Sequence, residues 1–232
     1  MTIDVTDAEV IECRPLADHI LQVILKPVVY LPYTAGQYLK LITPSNDALS
    51  YSIANAPNES KTYELHIRHG VSISNAALLE ALQKTKHIQL QCPFGHCTLL
   101  NLDTTKPLFF IASGTGFAPI KAMLETLIPT QRTQPVILYW SARSSAEHYL
   151  NQRLQTWDDE TPWFKYRPAL SKPTADIIET MMSDDNMTLS QWQVILAGSF
   201  DRIHALRDEL LARQFNSNQL HSDAFDFDIK PS

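Results

Sequence analysis

Cysteine and glycine are scarce in this chain, which has three cysteines and six glycines among 232 residues. Cys13, Cys92 and Cys97 are too few for a disulfide framework, and no two of them have the C-x-x-C spacing of a zinc or redox pair. The C-x4-C-x2-C spacing of a plant-type iron–sulfur cluster is also absent. We therefore expect structural thiols and no bound metal, so any electron chemistry needs an organic cofactor.

An excess of basic residues and a long apolar run are missing as well. Lys and Arg number 19 against 25 Asp and Glu, and the net charge of −6 argues against nucleic-acid binding. No apolar run approaches the roughly 18 residues that span a bilayer. The segment Met1–Val10 is polar and acidic rather than secretory. We expect a cytoplasmic globular protein with neither a membrane nor a nucleic-acid partner.

The first hundred residues have β-strand character. Four short runs show alternating or β-rich composition and are separated by turn signals: Ile20–Leu25, Tyr38–Ile42, Tyr63–Arg68 and Ile88–Cys92. One helix is expected over Asn75–Lys84, where apolar residues form a stripe. Many short strands with turns between them predict a small antiparallel β-barrel domain over residues 1–102.

The pattern changes after a polar linker at Asn101–Lys106. Three runs are apolar on both faces, as buried parallel strands are: Pro107–Ala112, Val136–Trp140 and Val194–Ala197. A helix is expected over Pro119–Ile128, and a further helical stretch precedes the third run. Strands that alternate with helices predict a doubly wound parallel-sheet α/β domain over residues 103–232.

A glycine turn, Ser113-Gly114-Thr115-Gly116, joins the first buried strand to its helix. Open α/β sheets bind ligands at this position, where helix N–H groups can face a pyrophosphate. Pro119 suits the first helical turn because its missing N–H is not needed there. The alternative is an ordinary βα turn with no ligand. The G-x-G-x-x-G fingerprint of ordinary dinucleotide dehydrogenases is absent.

Several further motifs occur in order along almost the whole chain. They are Ala35-Gly36-Gln37-Tyr38-Leu39, Tyr51-Ser52-Ile53-Ala54, Pro93-Phe94-Gly95, the Gly114-Thr115-Gly116 turn, Leu138-Tyr139-Trp140 with Arg143, Ala197-Gly198 and Asp223-Ala224-Phe225. A barrel followed by an α/β domain with this turn resembles the ferredoxin–NADP reductase superfamily. The length and motifs are similar to those of its small NAD(P)H–flavin reductases.

The resemblance implies two sets of site residues. For the flavin (FMN, FAD or riboflavin) they are Tyr51, Ser52, Ile53, Ser74 and Phe225, with Ser52 as the catalytic residue whose hydroxyl bonds the flavin N5. For NADH or NADPH they are Ala112, Ser113, Gly114, Thr115, Gly116, Pro119, Arg143 and Gly198. Arg143 is expected at the adenosine ribose or a 2′-phosphate, with a solvated loop arginine as the alternative. Phe225 either covers the flavin or packs a terminal strand.

One departure concerns the flavin phosphate. The superfamily's R-x-[YF]-S motif has Leu49 in place of its arginine here, and a leucine cannot bind phosphate. Lys40, Lys61 and Arg68 are the candidate substitutes. Small flavin reductases recognise mainly the isoalloxazine ring, so the resemblance implies a weakly bound flavin substrate.

Three functions remain in view. The first is an NAD(P)H-dependent flavin reductase that supplies reduced flavin to a flavin-dependent monooxygenase or a ferric acceptor. The second is an electron-transfer subunit that keeps its flavin bound and serves a partner oxygenase. The third is a degenerate nucleotide-binding regulatory protein, which only Leu49 supports. The sequence leaves the choice between NADH and NADPH and the oligomeric state open.

Overall fold

A computed structural model of the chain describes residues 5–70, 73–103, 105–170, 176–179 and 191–228, without the side chains of 73–76 and 227–228. The residues group into two compact units by their contacts. The first unit contains 1–98 together with 118–126, and the second contains 99–117 together with 127–232. The boundary between residues 102 and 103 stays a prediction, since residues 118–126 group with the first unit.

The first unit is an antiparallel sheet of six strands in the order β4-β3-β6-β1-β2-β5. The strands are β1 (Val5–Ala17), β2 (Ile20–Pro27), β3 (Tyr38–Ile42), β4 (Ala48–Ser52), β5 (Tyr63–Arg68) and β6 (His87–Phe94), with helix α1 (Ile73–Lys84) before β6. An antiparallel bridge between Ile53 and Leu65 joins the two outer strands. The sheet therefore closes on itself, which confirms the predicted barrel.

Alternation of side chains fills the barrel core. Leu39 and Leu41 of β3, Leu65 and Ile67 of β5, and Leu90 of β6 are all fully buried. In β1 the buried positions include the polar Thr6 and the small Ala8 besides Val10. Because every second residue of a strand points to the same side, β3 keeps its other face partly exposed.

The second unit is a parallel sheet of five strands in the order β11-β10-β7-β8-β9. Its strands are β7 (Leu108–Ser113), β8 (Val136–Ala142), β9 (Phe164–Leu170), β10 (Gln193–Ala197) and β11 (Leu220–His221). Helix α2 (Phe117–Leu127) follows β7, but its residues 118–126 group with the first unit. Helices α3 (Asn151–Glu160) and α4 (Phe200–Ala212) belong to the second unit. The chain runs outward from β7 through β8 and β9 and returns on the other side through β10, which confirms the doubly wound topology.

The reversal of strand order places two strand ends side by side. β7 and β10 are neighbours, and Ala112 pairs with Ala197 at their carboxyl ends. Crevices beside such reversal points are where open α/β sheets bind ligands. The glycine turn after β7 and Gly198 after β10 therefore lie at the position that favours a nucleotide.

Candidate active site

Ser52 ends strand β4 on the outer face of the barrel sheet. It pairs with Tyr38 of β3, and Ser50 pairs with Lys40. Since directly opposed residues share a face, Ser52, Ser50, Tyr38 and Lys40 project from the same side. Ser52 is half-buried. Among the residues that the structure describes, no hydrogen-bond partner is found for its hydroxyl, so this group is available to a ligand.

Aromatic rings lie on the same face. Tyr38 is opposite Phe94 of β6, and their rings stack with centroids 5.4 Å apart. The ammonium of Lys40 lies 4.3 Å from the centre of the Phe94 ring. In the sequence, Tyr38 and Phe94 are recognisable only as members of motifs, with no role at the site. The strand register, which alternation does not reveal, is what places them beside Ser52.

Leu49 and Tyr51 project from the opposite face. They pair with Leu41 and Leu39, both fully buried, and they pack against the barrel core. Leu49 is therefore a core-facing side chain as well as an apolar one. Of the candidate cations, Lys40 lies on the face of Ser52.

Ile53 has a different environment from the one expected for a flavin contact. Its side chain is fully buried in the barrel core, and its N–H donates to the carbonyl of Gln37 at 3.0 Å. The side chain therefore fills the core, and no flavin contact is proposed through it. A contact through the Ile53 carbonyl stays a prediction.

A buried ion network borders the residues that follow Ser52. Lys121 of α2, whose side chain is 2% exposed, lies 2.9 Å from Glu64 Oε2 and 2.8 Å from Glu125 Oε1. The other Glu64 oxygen accepts hydrogen bonds from Gln22 at 2.7 Å and lies 2.9 Å from His66 Nε2. These residues all belong to the first unit by their contacts.

The network controls protonation as well as position. Burial alone raises the pKa of Glu64, but the hydrogen bond with His66 and the charge of Lys121 outweigh it and lower this pKa to about 2. Burial also lowers the pKa of His66. The carboxylate of Glu64 is thus charged and His66 neutral near pH 7. The sequence does not reveal this network, because Lys121 and Glu64 are 57 positions apart in the chain.

The glycine turn has the backbone that glycine favours. Gly114 has a φ of +55°, in the left-handed region, directly after Ser113, which has extended backbone. Gly116 has a different reason to be glycine, because a Cβ there would lie 2.2 Å from the carbonyl oxygen of Ala197. Position 116 therefore requires glycine because another backbone segment lies close to it, whereas position 114 favours glycine because of its left-handed backbone.

An indole supports the turn from beneath. The Trp140 Nε1–H donates to the carbonyl of Gly114 at 3.0 Å, and the Trp140 ring stacks on Phe117 at a centroid distance of 4.1 Å. His148 Nε2 lies 2.9 Å from the Trp140 carbonyl. Trp140 is fully buried. The turn is thus held at one defined carbonyl by a side chain of the next strand.

The remaining nucleotide candidates gather around this turn. Ala112 is buried near the end of β7, and a Cβ on Gly198 would lie 3.0 Å from Ser113 Cβ. Pro119 lies in the first turn of α2, as expected, although the helix begins two residues earlier at Phe117. Arg143 is exposed one residue past β8, with its N–H 3.4 Å from Glu147 Oε2. The roles of these residues stay predictions.

Two flavin candidates lie elsewhere. Ser74 is the second residue of α1, but its side chain is outside the described side chains. Phe225 packs against the core of the second unit, 6.2 Å from His204 and under the guanidinium of Arg207 at 5.5 Å. These contacts favour the packing alternative for Phe225.

Three further features concern metal ions, membranes and a buried thiol. Within the described ranges, no group of three or more His, Cys, Asp or Glu side chains is placed to hold a metal ion. In that same part of the chain, no helix has both the length and the apolar composition needed to cross a bilayer. Burial raises the pKa of Cys92 to about 12, so this thiol stays protonated.

Comparison with known proteins assigns both units. The family model described as "Oxidoreductase FAD-binding domain" matches residues 19–99, and that described as "Oxidoreductase NAD-binding domain" matches residues 110–208. Together they cover most of the chain. Each match contains one of the two candidate sites, Ser52 in the first and the Gly114–Gly116 turn in the second.

Relatives of two kinds are similar to the chain. It is 29% identical to the NAD(P)H-flavin reductase of Vibrio harveyi, covering 92% of this chain and 95% of that protein. It is 34% identical to terephthalate 1,2-dioxygenase reductase component 1 of Comamonas sp, covering 60% of this chain but only 41% of that protein. The crystal structure of the reductase GcoB of Amycolatopsis superposes with a TM-score of 0.82 and 25% identity, covering 94% of this chain and 69% of that one. The chain is an oxidoreductase with an FAD-binding domain followed by an NAD-binding domain, similar to NAD(P)H-flavin reductases and with the fold of the ferredoxin reductases.

Proposed function

We propose that the protein is an NAD(P)H-dependent flavin reductase that takes flavin as an exchanging substrate. The observation that carries this proposal is the end of β4, where the half-buried Ser52 hydroxyl stands beside the Tyr38–Phe94 aromatic pair. A polar donor next to apolar rings suits an isoalloxazine, which has polar ring atoms in a flat aromatic system. Similarity to the Vibrio harveyi enzyme along nearly its whole length supports the proposal.

The chemistry belongs to the two small molecules. Flavin N5 takes hydride from the nicotinamide C4 of NADH or NADPH, and the protein supplies binding and orientation. In this proposal Ser52 is the catalytic residue and hydrogen-bonds N5. The flavin contact of Tyr51 is proposed at its backbone, because its side chain faces the barrel core. No side chain has to act as an acid or a base. Ser74 is proposed to contact a flavin phosphate.

The nucleotide is held at the reversal point of the parallel sheet. The Phe117 N–H at the start of α2 already bonds the carbonyls of Gly114 and Thr115, so the N–H groups of the preceding turn are the proposed donors to a pyrophosphate. The left-handed backbone of Gly114 sets the direction of the turn. Ser113, Thr115 and Gly116 are proposed to contact the nucleotide. Ala112, Pro119 and Gly198 border it, and Arg143 serves the adenosine ribose or a 2′-phosphate.

Weak flavin binding follows from the position of Leu49. This side chain faces the barrel core, so no cation stands where the motif arginine would bind phosphate. Lys40 is on the face of Ser52, but its ammonium already lies over the Phe94 ring and is partly exposed. A partly exposed point charge contributes about 0–1 kcal/mol. FMN should therefore bind less than about tenfold more tightly than riboflavin.

The reduced flavin is proposed to leave for a flavin-dependent monooxygenase or a ferric acceptor. A cytoplasmic location is part of the proposal, because the described residues contain no disulfide and reducing compartments keep thiols reduced. The second candidate function is an electron-transfer subunit with a bound flavin. The similarity to a dioxygenase reductase component favours it.

Purified protein distinguishes the two candidates. NADH and NADPH oxidation is measured with and without added riboflavin, FMN or FAD, together with the absorption spectrum of the protein. We expect colourless protein whose turnover depends on added flavin and is similar with riboflavin and FMN. Yellow protein that turns over without added flavin supports the electron-transfer subunit instead.

A further inference from the structure

The residues that follow Ser52 are held at nearly every backbone polar atom. Within the Ile53–Ala56 segment, the Ala54 N–H donates to the Glu64 carbonyl at 2.7 Å, and the Asn55 carbonyl accepts from the Tyr33 hydroxyl at 2.8 Å. The Asn55 side chain closes the segment on itself through the Ala56 carbonyl at 3.0 Å. These hydrogen bonds restrict the conformations that this short connection can adopt.

Helix α2 supplies two further hydrogen bonds to the Ile53–Ala56 segment. The Lys121 ammonium donates to the Ala54 carbonyl at 2.9 Å, and Glu125 Oε2 accepts from the Ala56 N–H at 3.0 Å. The two residues are one helical turn apart and are paired with each other at 2.8 Å. Lys121 and Glu125 therefore bond the backbone on both sides of Asn55, at the Ala54 carbonyl and the Ala56 N–H.

The ammonium of Lys121 is completely used. Its three N–H donors have three acceptors within 3 Å: Ala54 O, Glu64 Oε2 and Glu125 Oε1. Buried ion pairs can often be replaced by apolar side chains at no loss of stability, so burial of these charges is not explained by stability alone. Charged groups can form directional hydrogen bonds to backbone atoms, whereas apolar groups cannot.

We infer that Lys121 and Glu125 are positioning residues for flavin reduction, acting through the Ile53–Ala56 segment on Ser52. Neither residue has to touch the flavin. They hold the end of β4 so that the Ser52 hydroxyl keeps one orientation. The inference rests on the proposed function, and it names two residues that the motifs did not single out for the site.

The test compares two substitutions at one position. Glu125→Ala removes the acceptor of the Ala56 N–H, whereas Glu125→Gln keeps an amide oxygen there and loses only the charge. Both leave the Lys121–Glu64 pair in place, so both should fold. Glu80→Ala is the matched control, since Glu80 forms an i, i+4 pair with Lys84 on the exposed side of α1.

We expect Glu125→Ala to lower kcat roughly 10- to 100-fold, the effect of a small misplacement, with little change in the KM for NADH. Glu125→Gln should recover most of the lost kcat, and Glu80→Ala should match the wild type. A purely stabilising role would lower Tm in Glu125→Ala while leaving kcat of the folded protein unchanged. That result would overturn the inference.

Amide hydrogen exchange gives a second readout that needs no turnover. Protection over residues 53–56 should be lost in Glu125→Ala and retained in Glu125→Gln and Glu80→Ala. If the wild type reduces no flavin, the proposed function fails, and exchange alone then decides whether α2 positions the segment. Unchanged protection in Glu125→Ala contradicts the inference whatever the activity.

Discussion

The two candidate sites are held in place in opposite ways. At the nucleotide turn, the support comes from the adjacent strand, through the Trp140 indole and the Gly114 carbonyl. At the end of β4, it comes from charged residues up to 69 positions away, Glu125 being the partner of Ala56. A local turn can be read from a motif, whereas a segment held from a distance needs the fold. Substitutions should accordingly act locally at the first site and through electrostatics at the second.

The largest effect should follow Gly114→Val. A β-branched side chain is strained at a φ of +55° and would crowd the pyrophosphate position, so use of NADH and NADPH should be abolished. Gly70→Val is the matched control, because Gly70 also has a positive φ of 78° and nothing lies within 4 Å of a Cβ there. Both variants should lose some stability. An unchanged KM for NADH in folded Gly114→Val would remove the turn from the site.

The ion network should make stability sensitive to acid. The pKa of Glu64 is about 2 in the folded protein, below its ordinary value of 4.5, so the carboxylate stabilises the fold above pH 4.5. This contribution, roughly 3 kcal/mol, is lost as the pH falls from 4.5 toward 2. His66 acts in the same direction from pH 6.5 downward, because its pKa is lowered by burial.

Denaturant titrations between pH 7 and pH 3 (roughly the range over which carboxylates titrate) test this. The free energy of unfolding of the wild type should fall more steeply with acid than that of Glu64→Gln. Parallel curves for the two proteins would mean that Glu64 is not held as a carboxylate by Lys121 and His66. The ion network that contacts the segment after Ser52 would then lack the negative charge of Glu64.

Ser52→Ala should fold normally and slow flavin reduction. One hydrogen bond with an unmet partner is worth about 1–3 kcal/mol, which corresponds to roughly tenfold to a hundredfold in rate. Ser50→Ala is the matched control, since it lies on the same face of the same strand, opposite Lys40. Equal turnover of the two variants would exclude Ser52 from the mechanism.

Trp140→Phe should have the smallest effect. Phenylalanine keeps an aromatic ring against Phe117 but cannot donate to the Gly114 carbonyl. A net loss of about 1 kcal/mol should raise the KM for NADH about fivefold while kcat stays near the wild-type value. Trp157→Phe, on α3 beneath Arg153, is the control. A fall in kcat with unchanged KM would show that the indole does more than support the turn.

Periodic strands were readily predicted from the sequence. Tyr38–Ile42 and Tyr63–Arg68 have the predicted bounds because buried apolar residues alternate in them. Strand β1 was not predicted, since its inward positions include Thr6 and Ala8, which give a weak apolar pattern. Strand β9 was also missed, because it is an edge strand with exposed Lys165 and Pro168.

The site shows the same division. The turn residues from Ser113 to Gly116 could be placed from the sequence, because one short segment contains both strand end and helix start. The outward face shared by Ser52, Tyr38 and Lys40 depends on pairing between strands, and the role of Lys121 depends on tertiary contacts. Leu49 was correctly identified as unable to bind phosphate, but its inward direction required the register with Leu41.

Direct observation of hydride transfer tests the central claim. Riboflavin and purified protein are mixed rapidly with NADH or NADPH in the absence of oxygen, and the loss of flavin absorbance is followed with ordinary and C4-deuterated nucleotide. We expect the flavin to be bleached at a rate that deuterium slows and that Ser52→Ala lowers. Riboflavin that stays oxidised with both nucleotides, in folded protein, would contradict it.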